Sequence, residues 1–159
     1  MRPETLLQML RHTSPEFVDY IGPDVRRFAC WCARDAGAAS AGALPHRVLH
    51  AAEKYAAGEL PPALLAAERR SAAGLASAAV TIGLSRCQPS AALQLAAIRT
   101  ADEDPFEAAR AAAHFSALAA IWRDGEPAGV VVRIRQASGL RFFIPNPFIP
   151  EGSLAYAVA

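Results

Sequence analysis

Three side chains that could bind a metal ion recur at helical spacing near the start of a predicted helix. His46, His50 and Glu53 stand at positions i, i+4 and i+7, so a helix would place all three on one face. Two imidazoles and a carboxylate can bind zinc or a small molecule, and His114 could add a further ligand. However, a solvated face near a helix start explains these residues more simply, and no His-Glu-x-x-His order is present. We therefore predict no metal site and no cofactor, and keep His46, His50 and Glu53 as the ligands of an alternative.

The three cysteines do not form a metal or redox motif. Cys30 and Cys32 are two residues apart, and on a helix their sulfurs would point about 200° away from each other. Cys87 leaves an odd total, which does not suit the disulfide framework of a secreted protein. We predict that the cysteines are small buried hydrophobic residues in a reducing compartment.

No arrangement typical of nucleophilic catalysis is present. Such a site needs a serine or cysteine close to a histidine and a carboxylate, and the nearest candidate is Ser116, two positions after His114. The sequence contains no Gly-x-Ser-x-Gly elbow and no glycine-rich phosphate loop. We predict that the chain is not an enzyme.

Arginines are the most promising candidates for binding a partner. Arg133, Arg135 and Arg141 lie in a stretch without an acidic residue between Glu126 and Glu151, so they could contact an acidic partner or a phosphate. An ordinary basic surface is the alternative. Helix faces nearer the N-terminus offer further charge for docking, through Arg26, Arg27, Arg34, Arg69 and Arg70.

Composition excludes several classes of protein. The 159 residues are 53% hydrophobic and 19% charged, which suits one globular domain over residues 1–159 and excludes a disordered chain. The net charge of +1 makes nucleic acid an improbable partner, because little counterion release is gained. Neither a signal peptide nor a membrane-spanning stretch is apparent, so we expect a protein of the bacterial cytoplasm with no membrane contact.

The elements that would position these residues are helices, since alanine dominates the apolar share and is the best helix former. Proline and capping residues mark the starts of most of them. Residues 1–22 are predicted to form two short helices, the second of which Gly22 ends, and residues 23–125 to form the core bundle. Within that bundle we predict helices over residues 23–36, 45–57, 61–84, 89–98 and 105–122.

The bundle is predicted to close around Phe28, Phe115, Leu118 and Trp122, the last three of which follow Ala111 on one apolar stripe. In the helix predicted over residues 61–84, the residues expected to pack closely against a neighbouring helix are Leu65, Ala72, Ala76, Ala79 and Gly83.

The C-terminal third is less regular. Residues 126–143 contain the β-branched run Val130-Val131-Val132 and could form a strand. A lone strand has no partner in a helical chain, and Glu126-Pro127 resembles a helix start, so a helix is favoured. Residues 144–159 hold three prolines and are predicted to form an extended strap.

An internal duplication is also consistent with the sequence. Pro45 aligns with Pro89, Glu59 with Glu103 and Pro61 with Pro105, each pair 44 residues apart. Each unit would be a hairpin of two helices. The alternative is that alanine-rich helices align by composition alone. The predicted fold is thus an all-α, single-domain bundle of seven or eight helices, with a duplicated hairpin as an open alternative.

Three segments, in this order, carry a resemblance. They are Arg27-Phe28-Ala29-Cys30-Trp31-Cys32-Ala33-Arg34, Ala51-Ala52-Glu53-Lys54-Tyr55-Ala56-Ala57-Gly58-Glu59-Leu60, and Asn146-Pro147-Phe148-Ile149-Pro150 after Leu140-Arg141. Over residues 24–150 the chain resembles bacterial alanine-rich helical proteins, some of which are labelled as immunity proteins of polymorphic-toxin systems.

The resemblance implies an all-α fold and a role in binding another protein, and it offers no catalytic residues. The chain departs from it where relatives carry Arg-Asp-Ile-Phe-Gly, because Arg141-Phe142-Phe143-Ile144-Pro145 stands there. The end of the helix near Phe143 is therefore not fixed by the resemblance.

We therefore expect a non-enzymatic protein–protein interaction module, as an immunity or defence-associated factor that binds a partner protein. The alternative is a small-molecule or metal-binding helical protein that uses His46, His50 and Glu53.

Overall fold

The computed structural model describes residues 2–77 and 79–144 and confirms the all-α prediction. Within these residues the chain forms eight α-helices, one 3₁₀ turn over Ala38–Ser40 and no strand. The helices are α1 (Pro3–Arg11), α2 (Pro15–Asp35), α3 (Ala43–Ala56), α4 (Pro62–Ser77), α5 (Ala79–Ser85), α6 (Pro89–Arg99), α7 (Pro105–Asp124) and α8 (Glu126–Phe143).

Most of the predicted helix starts at proline and capping residues are confirmed. The Ser14 hydroxyl accepts a hydrogen bond from the Phe17 backbone N–H at 3.3 Å, and the Asp104 carboxylate accepts one from the Phe106 N–H at 2.8 Å. In both helices proline follows the cap, where its missing N–H would have had no helical partner. Local chemistry therefore fixes where α2 and α7 begin.

The predicted break at Gly22 and Pro23 is wrong, because α2 runs without interruption from Pro15 to Asp35. Ile21, Val25 and Phe28 lie on both sides of the proline and are fully buried. A proline inside a helix costs about 3 kcal/mol or more, and burying a continuous apolar face of α2 offsets that cost. Gly22 is not needed for a turn either, since an added Cβ would meet Pro105 at an ordinary 3.7 Å.

The long helix predicted over residues 61–84 appears as α4 and α5, with Ala78 outside the described residues. Leu65, Ala72 and Gly83 of its predicted edge are buried, and the side chains of Ala76 and Ala79 lie outside the described set. Gly83 permits a close approach of α5 to α6, because a Cβ there would lie 2.7 Å from the Cβ of Ala91.

The core centre differs from the prediction. Phe28 is fully buried, but Phe115, Leu118 and Trp122 are only partly buried. Helix α7 packs against α1, α2, α6 and α8. Because four helices contact it, α7 needs small side chains at the positions where they approach. Its buried positions are accordingly small: Ala108, Ala109, Ala111, Ala112, Ala113, Ser116, Ala117, Ala119 and Ala120.

The helical units of the proposed repeat exist. Helices α3 and α4 correspond to α6 and α7 with the offset of 44 residues, and equivalent positions are buried in both units: Val48 and Ala92, Ala52 and Ala96, Leu65 and Ala109, Ala72 and Ser116. Duplication stays a prediction, now with a matching burial pattern.

The C-terminal helix and the prediction of no membrane-spanning stretch can both be compared with the structure. Helix α8 ends at Phe143, and buried Ile144 follows it in extended conformation, whereas residues 145–159 of the predicted strap lie outside the described residues. No helix in the described part of the chain is long and apolar enough to cross a bilayer.

Candidate functional site on helix α8

Helix α8 has an inner face on which small residues alternate with the larger buried side chains of Gln136 and Leu140. Gly129, Ala137 and Leu140 are buried against the bundle. A Cβ on Gly139 would lie 2.6 Å from Cζ3 of Trp31, and a Cβ on Gly129 would overlap the Ile121 side chain. These two glycines let α8 lie close to α2 and α7, and thereby determine which face of α8 points inward.

The outer face of α8 carries large apolar side chains in water. Val130, Val131, Ile134 and Phe142 are 51%, 57%, 62% and 87% exposed, and we call these four residues the α8 stripe. At 100° per residue they fall within a sector of about 120°. Exposed apolar side chains gathered on one face are typical of a surface that contacts another molecule.

The three predicted arginines of α8 differ in burial and in their hydrogen-bond or ion-pair partners. Arg135 donates to the Asp35 carboxylate at 2.5 Å. Arg133 is partly buried, and its Nε has no hydrogen-bond partner within the described residues. Arg141 is exposed and makes no ion pair there. Among the described residues Arg141 is therefore an unpaired cation close to Val130 and Ile134 of the α8 stripe.

Arg26 was predicted to bind a partner, and the structure contradicts this because only 3% of it is exposed. Its Nη1 donates to the Thr100 carbonyl at 2.6 Å and its Nη2 to the Glu103 carbonyl at 3.1 Å. The guanidinium lies 5.3 Å from the centre of the Tyr55 ring. Desolvation by burial lowers the pKa of Arg26 from its ordinary value. This side chain holds the C-terminal end of α6, where orphan carbonyls and the helix dipole favour a cation.

The other candidate arginines are exposed or partly exposed on α2 and α4. Arg27 pairs with Asp24 at 2.7 Å, Arg34 with Glu53, and Arg69 with Glu103 at 3.5 Å. Arg70 is exposed and has no ion pair within the described residues. Exposed pairs of this kind contribute little to stability, and within the described residues no hydrogen bond or ion pair joins these four arginines to those of α8.

The predicted histidine face exists, but its carboxylate is already engaged. His46 and His50 are exposed with ring centroids 6.5 Å apart, and His50 Nδ1 lies 3.8 Å from Glu53 Oε2. Arg34 donates from Nε to Oε1 of Glu53 and from Nη2 to Oε2 at 2.6 Å. Across the described residues no group of three His, Cys, Asp or Glu side chains could hold a metal ion. His114 is exposed on α7, edge-on to Phe115.

The three cysteines and Ser116 are the remaining side chains that the sequence offered as possible nucleophiles, and the structure buries three of these four. Cys30 and Cys32 are buried, whereas Cys87 is exposed, contrary to the prediction. Cys87 follows the end of α5 at a positive φ of 53°, and a residue in such a turn has no helix face to bury. Ser116 is buried and donates to the Cys32 carbonyl at 3.1 Å, so it does not face the exposed His114.

The thiols should therefore differ sharply in reactivity. Burial raises the pKa of Cys30 to about 12 and the pKa of Cys32 well above its ordinary value, and thiolate is the reactive form. Iodoacetamide at pH 8 is expected to alkylate Cys87 alone in the folded protein, and all three cysteines in denaturant, as counted by intact mass. A Cys87→Ser control should show no fast label. Rapid labelling of two or three sites in the folded chain would contradict the packing around α2.

A groove on the surface of the bundle contains an ion pair. A cavity of about 620 Å³ between α2, the end of α3 and the start of α7 is lined by Arg26, Tyr55, Asp104 and Arg11, among others, and Arg11 pairs with Asp104 at 2.7 Å. Arg11 pairs with Asp104 and Arg26 binds backbone carbonyls, and no serine, threonine or cysteine lines the cavity, so it offers no serine or cysteine nucleophile beside a base.

Sequence reasoning found the arginines of α8 but not the apolar stripe beside them. The signal was present in the spacing of Val130, Val131, Ile134 and Phe142, which share one face once residues 126–143 are taken as a helix. The comparisons with known proteins add no relative: no family model, curated protein or solved structure matches the chain.

Proposed function

We propose that this chain is a non-enzymatic protein–protein interaction module that contacts its partner through the α8 stripe. The observation that carries the proposal is the exposure of Val130, Val131, Ile134 and Phe142 on one helix face. Complete burial of a fully exposed side chain of this kind is worth about 1.5–3 kcal/mol, and each residue of the stripe has about half or more of its surface still to bury. The adjacent Arg141 adds charge, which contributes orientation and specificity.

The resemblance to immunity proteins suggests a narrower role within this proposal, in which the partner would be a toxin. The alternative of metal or small-molecule binding is supported less well, because Arg34 occupies both oxygens of Glu53.

Photo-crosslinking from the α8 stripe tests the proposal. A photoreactive amino acid replaces Ile134 in the full chain expressed in its native host, and a matched variant carries it at Ile82, an isoleucine of α5 that is 54% exposed. We expect a discrete protein adduct from position 134 and only diffuse background from position 82. Equal and diffuse labelling from both positions would overturn the proposal.

A further inference from the structure

We infer that the α8 stripe is covered by a second copy of this chain, whose α8 lies antiparallel to the first about a twofold axis at Ile134. This inference rests on the proposed function, since it takes the α8 stripe as a protein-binding surface and names the partner. A twofold interface requires a self-complementary surface, and the sequence of α8 meets that requirement in charge, in shape and in dipole direction.

The charges match along the helix axis. In an antiparallel pair, residues at equal distances on opposite sides of the twofold axis meet. Glu126 stands eight residues before Ile134 and Arg141 seven residues after it, which corresponds to about 12 Å and 10.5 Å at 1.5 Å per residue. Glu126 of one copy therefore lies at the height of Arg141 of the other.

The charges also match around the helix. At 100° per residue, Arg141 lies about 20° from Val130 toward Ile134, and Glu126 lies about 40° on the other side of Val130, so both are near the edge of the stripe that Val130 occupies. A twofold axis perpendicular to both helices brings like edges together, so each Glu126 meets an Arg141 and the ion pair forms twice. Both side chains are exposed, and neither makes an ion pair within the described residues.

The shapes are complementary as well. Val130 and Ser138 of the second copy lie at the same height, four residues on either side of Ile134 and on opposite edges of the stripe. Each layer therefore holds a branched side chain beside a small one, and the helices can approach closely. The two Ile134 side chains meet at the axis, and each Phe142 covers the first turn of the other α8. Opposed helix dipoles favour this direction, whereas a parallel pair would place Arg141 beside Arg141.

Charge reversal tests this arrangement. The variants Glu126→Arg and Arg141→Glu each place two like-charged contacts in their own dimer, and each should dissociate about tenfold more readily than the original chain. Mixed in equal amounts they should form heterodimers as tight as the original. In such a heterodimer each of the two contacts between positions 126 and 141 again joins one arginine to one glutamate, either both introduced or both original. Sedimentation velocity over a concentration series measures all three dissociation constants.

Matched variants separate self-association from general effects of charge. Glu16→Arg reverses an exposed acid on α2, and Ile82→Glu places a charge on an equally exposed isoleucine. Both controls should leave the dimer unchanged, while Ile134→Glu should abolish it with the circular dichroism of a folded helical protein retained. Failure of the mixed variants to recover dimerisation would overturn the antiparallel arrangement.

The remaining outcomes distinguish this inference from the proposed function. A chain that is monomeric up to its solubility limit, yet crosslinks from position 134 to a different protein, overturns the inference and leaves the proposed function standing. An adduct from position 134 to residues 145–159 of the same copy also overturns it. A monomer with no adduct overturns both.

Discussion

Replacing Phe28 by alanine is expected to lower the free energy of unfolding by about 4 kcal/mol. Phe28 is fully buried in the middle of α2, with ring centroids 6.0 Å from Trp31 and 6.3 Å from Phe143. Many of its core neighbours are alanines of α7, such as Ala109 and Ala112, whose short side chains cannot move to fill a cavity. The substitution should therefore lose the transfer free energy of the ring and leave most of its volume empty. Urea unfolding followed by circular dichroism measures the change.

Tyr20→Ala provides the matched control for Phe28→Ala. Tyr20 is an aromatic residue of the same helix that is 73% exposed, so its replacement should change the unfolding free energy by no more than about 0.5 kcal/mol. A comparable loss for the two variants would show that the Phe28 effect comes from the helix and not from the core.

The sequence was sufficient for the helix class and for most helix starts, because these depend on local chemistry. Ser14 and Asp104 cap their helices through their own side chains, and proline follows each of them. Such interactions join residues two or three positions apart, which is why composition and spacing reveal them. The continuity of α2 through Pro23 depends instead on burial against α7, which lies about 80 residues further along the chain.

The orientation of α8 could not be predicted for a related reason. The segment offers one face with Val130, Val131, Ile134 and Phe142, and another with Gly129, Ala137, Gly139 and Leu140. Hydrophobicity alone would bury the first face. The structure buries the second, because only glycine lets Trp31 and Ile121 approach the α8 backbone. That selection is made by the shapes of two distant helices, and the exposed stripe follows from it.

The candidate arginines illustrate the same limit for single residues. Arg26 and Arg27 are adjacent in the sequence and were indistinguishable as charged residues of one helix. In the structure Arg26 is 3% exposed and bonded to the backbone after α6, whereas Arg27 is an exposed partner of Asp24. What distinguishes the structural role of Arg26 from the surface role of Arg27 is the position of the link between α6 and α7. That link lies more than 70 residues further along the chain.

Replacing Arg26 by methionine is accordingly expected to cost about 3 kcal/mol of unfolding free energy. Methionine keeps much of the side-chain volume but leaves the Thr100 and Glu103 carbonyls without their charged donor. Arg26→Lys keeps the charge without the planar fork that reaches both carbonyls, so its loss should be smaller, about 1–2 kcal/mol. The neighbouring Arg27→Met removes only an exposed ion pair and should cost less than about 1 kcal/mol. If urea unfolding gave equal losses for Arg26→Met and Arg27→Met, the buried guanidinium would not be what holds the C-terminal end of α6 against α2.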